Sequence, residues 1–145
     1  MSVVKNILNY TISFCVGIFI ITYLIKIPHV LTGNTKLVNK YYIENFNTNI
    51  IIDYVLVLIY LIIAYFFINI LKIKNYIYKI ITVIIVTALI SSIFCYYFRA
   101  VPQTKNFFSI WFNTIGYSAV LYDIILLVGI YLIYLYMDKI LHLNF

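Results

Sequence analysis

Acidic residues are nearly missing from this chain. Its 145 residues include four, against ten lysines and arginines, and charged residues make up 10% of the whole. An ordinary soluble domain carries about 25%, so that class is excluded. Glycine, proline and cysteine are scarce too, at four, two and two. With so little glycine there is no Gly-rich loop to cradle a phosphate, and no linker marks a second domain. Only Arg99 is an arginine, so no Arg-rich helix or basic arm points to nucleic acid. Cys15 and Cys95 lie inside apolar runs, with no CxxC pair and no Cys/His spacing suited to zinc. They read as small residues in helix interiors, at depths too different for a disulfide. Metal ligands and cofactor motifs are not expected. Nor is an enzyme, because there is no nucleophile elbow, no HExxH and no other catalytic set.

What is present is oil. Hydrophobic residues make up 66% of the chain, and the formal net charge is +6. In a membrane protein such a positive excess sits at the lipid headgroups. Tyrosine alone accounts for sixteen residues. The skew toward Ile, Tyr, Asn, Phe and Lys matches the product of an A/T-rich genome, so the tyrosines are assigned to composition and to interfacial anchoring.

A bilayer core of about 30 Å takes about 20 helical residues. Four stretches qualify, at about 7–27, 50–71, 80–98 and 117–137. Pro28, the Lys72/Lys74 pair, Arg99 and the Asp138/Lys139 pair stop them in turn. The expected fold is all-α: one integral membrane domain over 1–145, a four-helix bundle. The first span follows Lys5 as a signal sequence would, but its apolar run is too long for one and reads as uncleaved. The NYT sequon at Asn9 lies where the membrane begins and should not be used.

Two connections carry features of their own. Residues 28–49 are polar, with an aromatic knot at Tyr41, Tyr42 and Phe46. After Pro102, Thr104 can cap a helix over about 104–116. Phe107, Phe108, Trp111, Phe112 and Ile115 share one face of it, opposite Asn106, Ser109 and Asn113. Such a helix lies well in the membrane surface. The other arrangement open to it is to pack on the bundle.

Four spans alternate in direction, so Lys26, Asp53, Arg99 and Asp123 fall near one membrane edge. Stripes of small or hydroxyl residues let helices approach closely in lipid. One stripe runs through Thr87, Ser91, Cys95 and Arg99, and another through Thr11, Cys15, Thr22 and Lys26. Gly116 and Ala119 share the face of Asp123, and Val57, Leu61 and Ala64 that of Asp53. A lone charge facing hydrocarbon would cost at least about 2.5 kcal/mol, so Asp123 is expected to turn inward and pair with Arg99 or Lys26. The structural outcome is a polar clasp. The functional one is a proton or ion site. Both termini are expected on one side. Five basic residues fall on each side, which leaves orientation open, although the dense 72–79 turn favours cytosolic termini.

The stretch FFSIWFNTIGYSAVLYDIILLVGIYLIYLYM, residues 107–137, resembles small polytopic membrane proteins of nucleocytoplasmic large DNA viruses. The shared features are an aromatic FFxxWF helix, then GYxAVxYD, then an apolar span. The resemblance implies a virion internal membrane or an infected-cell membrane, and no chemistry. The first expectation is therefore a non-enzymatic protein that structures or anchors a membrane, with lipid, further copies of itself, or other membrane or capsid proteins as partners. The second is a small oligomeric channel or proton-coupled carrier using Asp53 and Asp123.

Overall fold

An apolar run without interior proline can satisfy its backbone in lipid only as a helix or within a closed barrel. The described residues of this chain take the helix, apart from short turns between helices. The computed structural model describes residues 2–100 and 107–143, and no strand occurs among them. The first helix, α1 (Ser2–Ile18), continues as a π-helical turn over Phe19–Leu24. Two short helices follow, α2 (Ile27–Thr32) and α3 (Thr35–Asn39), then a second π-helical turn, Lys40–Glu44. The long helices α4 (Phe46–Ile70) and α5 (Tyr76–Ala100) come next. A short helix, α6 (Phe107–Ile115), leads into α7 (Tyr117–Leu143). Four segments are long and apolar enough to cross a membrane, at Val3–Leu24, Phe46–Ile70, Tyr76–Ala100 and Tyr117–Leu141. They are the mark of an integral membrane protein. Thr104, Lys105 and the start of the expected 104–116 helix lie outside the described residues.

The boundaries differ from the hydropathy pattern because helix ends answer to caps. Hydropathy starts the third span at residue 80. The helix starts at Tyr76, where Asn75 Oδ1 accepts from Ile77 N at 2.8 Å. The first span ends early, with Lys26 in the left-handed region at φ 59° just before Pro28. At the other break, Gly116 has φ 61° and joins α6 to α7. A side chain there would be strained.

The last helix is the centre of the bundle. It packs along α1 on one flank and α5 on the other, and touches α4 and α6. Lys5 Nζ donates to Leu141 O at 3.0 Å, so the start of α1 and the end of α7 lie together. Outward faces are apolar, through Ile51, Val55, Ile59 and Ile62 on α4 and Ile81, Ile85, Leu89 and Ile93 on α5. In water these would be aggregation surfaces, whereas lipid matches them.

Burial corrects one stripe. Thr22 of that stripe faces inward as expected, but Cys15 and Lys26 are exposed, while Asn9, Ser13, Tyr10, Phe14 and Ile18 face inward. Asn9, Ser13 and Gly17 also step by four, so the same small-residue rule applies in a different register. Asn9 Nδ2 donates to Tyr134 O at 3.2 Å, and Ser13 Oγ donates to Asn9 O at 2.7 Å. Asn9 is 1% exposed, out of reach of glycosylation. The stripe on α5 does face inward at Thr87, Ser91 and Cys95, and Val57, Ala64 and Ala119 are buried as expected. Both cysteines are free, one on the outer surface and one in the core.

A Cβ at Gly17 would lie 2.6 Å from Ile130 Cγ1 and 3.4 Å from Ile130 Cα. At Gly129 it would meet the flexible tip of Ile21, its Cδ1. Gly17→Ala is therefore expected to destabilise the bundle by about 1–3 kcal/mol through overpacking. Gly129→Ala should be milder, since a rotamer change relieves it. Unfolding titrations in mixed micelles would compare them, and equal stability of Gly17→Ala and wild type would contradict this α1–α7 register.

Candidate functional site: a chamber with two carboxylates

Asp53 lies seven residues past the start of α4, and Asp123 six residues past the start of α7. At 1.5 Å per residue both sit about 10 Å in from the same end of the bundle. They line one cavity of about 220 Å³. The walls are aromatic, with Tyr60 from α4, Phe94 and Phe98 from α5, and Tyr122 beside Asp123 on α7. The roof is built from α6 and from the π-helical turn that carries Tyr41 and Tyr42.

Hydrogen bonds fix this roof. Asn49, buried at the start of α4, donates its Nδ2 to Tyr41 O at 2.9 Å. Tyr23 OH donates to Tyr42 O at 2.7 Å. Two bonds cap the end of α5, from Asn113 Nδ2 to Phe98 O at 3.0 Å and from Ser109 Oγ to the same oxygen at 3.4 Å. Aromatic contacts do the rest. The ring of Phe98 stacks on Phe112 with centroids 5.6 Å apart, and Trp111 meets Tyr41 at 5.0 Å. Trp111 and Phe112 are buried, while Phe107, Phe108 and Ile115 are half-buried against the core. The aromatic face expected to lie in the membrane surface is thus turned onto the bundle. Its rings find rigid aromatic partners there, and its polar face finds the open carbonyl of Phe98.

Each acid is held by a hydroxyl. Tyr41 OH donates to Asp53 Oδ1 at 2.6 Å, and Ser91 Oγ donates to Asp123 Oδ2 at 2.5 Å. Burial and the neighbouring Asp53 carboxylate hold the Tyr41 phenol well above its ordinary pKa, so it stays a donor. Asp53 Oδ2 is buried with no hydrogen-bond partner among the described residues.

The structure thus brings together the two acids of the expected charge cluster and leaves its two cations apart. Among the described residues, no lysine, arginine or histidine lines the cavity. Lys26 is exposed at the break after the first span. Arg99 is exposed beyond Cys95, with its guanidinium 5.8 Å from the ring of Tyr117. Among the described residues the expected pairing of Asp123 with Arg99 or Lys26 is replaced by the hydrogen bond to Ser91. The reason is register: Arg99 is eight residues beyond Ser91, about 12 Å along α5, too far toward the end of the helix to share its level.

Sequence reasoning assigned the tyrosines to composition and anchoring, with Tyr41 and Tyr42 only part of an aromatic knot in a connection, yet four tyrosines line the chamber. Thr22 Oγ1 and Tyr122 OH lie 2.6 Å apart and orient that ring. The signal available was the tyrosine directly before Asp123 and the Tyr41/Tyr42 pair before α4. Among the described residues no three His, Cys, Asp or Glu side chains come close enough to hold a metal. A comparison with known protein families, characterised proteins and solved structures finds no match to this chain.

Proposed function

We propose that this chain is a multi-pass membrane protein that takes up a cation, the proton included, at Asp53 and Asp123, and acts as a small carrier. One observation supports this above the others: both carboxylates line one cavity, and among the described residues no positively charged side chain lines it. Ionisable groups inside a membrane protein are expensive, and they mark ion or proton sites unless a partner neutralises them. A structuring or anchoring role would be favoured by paired acids and a helix lying in the lipid surface. In this chain the acids are held by hydroxyls, and the aromatic helix supports the chamber roof. Binding and movement, not catalysis, fit two carboxylates walled by rings. Residence in a viral or infected-cell membrane is proposed from the resemblance of residues 107–137 alone.

Flux in proteoliposomes tests the reading. Wild-type protein should dissipate an imposed proton or cation gradient, and the variant carrying Asp53→Asn and Asp123→Asn should not. Equal flux from both, or none from either, would refute the carrier assignment.

A further inference from the structure

The chamber combines two features that one ligand class uses together. Its acids supply negative charge, and its walls supply ring faces. A hard inorganic cation such as Ca²⁺ needs six or more oxygen ligands in place of its water. Here much of the lining is ring carbon, contributed by Tyr60, Phe94, Phe98, Trp111 and Phe112. An ammonium ion carrying carbon substituents gains from aromatic faces what a metal ion loses there. Each carboxylate also commits one oxygen to a hydroxyl, leaving Asp53 Oδ2 buried and without a partner among the described residues. A buried carboxylate oxygen without a donor is costly, and a cation would supply the missing charge. The cavity, at about 220 Å³, is smaller than the roughly 300 Å³ at which drug-sized pockets begin. Its occupant must be small.

We propose that the chamber binds a small organic ammonium ion, with the charged nitrogen between Asp53 and Asp123 and the carbon substituents against Tyr60, Phe98 and Trp111. The inference rests on the cation-handling reading above and names its ligand class.

The chain supplies its own reporter, because Trp111 lines the chamber and is the single tryptophan. Full-length protein in detergent would be titrated with choline and with methylammonium while tryptophan emission is followed. The controls are sodium chloride at matched ionic strength and the uncharged isostere of choline with carbon in place of nitrogen. The expected result is a saturable emission change with an ammonium ion and none with either control. Asp123→Asn should weaken the response about tenfold or more. The comparison of choline with its isostere uses wild-type protein, so it does not depend on the variant folding. Equal responses to choline and its isostere would overturn the proposal by showing a merely apolar pocket. A response to sodium alone, or flux in liposomes without any ammonium response, would overturn the ligand class and leave the cation-handling reading standing. Absence of both ammonium response and flux would remove both.

Discussion

Trp111→Ala is expected to cost the folded bundle about 3–5 kcal/mol, the usual loss when a buried large aromatic is truncated. Trp111 is 6% exposed and contacts Tyr41, Tyr42 and Phe107 through ring centroids at 5.0, 6.3 and 6.1 Å. Tyr41 in turn holds Asp53, so the loss should extend from the roof to the carboxylate. Trp111→Phe keeps a ring in place and should lose much less. An α6 lying in the lipid surface gives a different result, because an interfacial tryptophan leaves the bundle core intact when removed. Unfolding in mixed micelles, followed by helical circular dichroism, separates the two. A loss below about 1 kcal/mol for Trp111→Ala would place the aromatic face on lipid.

Neutralising the acids has the largest functional effect expected, and it should leave the fold standing. Asp123→Asn keeps an oxygen able to accept from Ser91, and Asp53→Asn keeps one for Tyr41. Both changes remove a negative charge from the chamber, and the second removes the ionic character of a buried oxygen that has no partner among the described residues. Stability of the double variant should equal or exceed that of wild type, while cation uptake disappears. Such a trade is common where an active site is held at a cost in stability. A clasp between Asp123 and Arg99 would reverse the sign: breaking a truly buried pair costs about 3–5 kcal/mol, because one charge is left unpaired. A thermodynamic cycle of Asp123→Asn with Arg99→Gln measures this directly. The coupling is expected to be near zero, since Arg99 lies against Tyr117 and outside the chamber. Recovery of lost stability by the second substitution would restore the clasp.

Much of this fold is written in hydropathy. Apolar runs of about 20 residues and the lack of interior proline place four membrane-length helices to within about two turns, although the last helix runs on through the expected Asp138/Lys139 stop to Leu143. The shared level of Asp53 and Asp123 follows from alternation of direction alone. What hydropathy hides is rotation. In a helix apolar all round, Cys15 and Ser13 are both small, and spacing alone favours neither. Only Asn9, which must find a partner inside a membrane, decides the face, and it was read as a sequon. The same limit explains the charge cluster. Membrane depth can be counted from sequence, so Arg99 and Asp123 looked close. Whether a long side chain turns in or out depends on packing, and Tyr117 with its exposed ring lies beside Arg99. The aromatic helix is ambiguous for a similar reason: a greasy face suits lipid and protein equally, and the Phe98 carbonyl that draws Ser109 and Asn113 belongs to another helix.

Infrared difference spectroscopy on the protein in lipid, recorded before and after a cation is added, tests the central claim most directly. Asp53 and Asp123 are expected to give a carboxylate-stretch difference band when the cation reaches them. The band should weaken in each single Asp→Asn variant and vanish in the double variant. No band, or a band that survives removal of both acids, would contradict a cation site in this chamber.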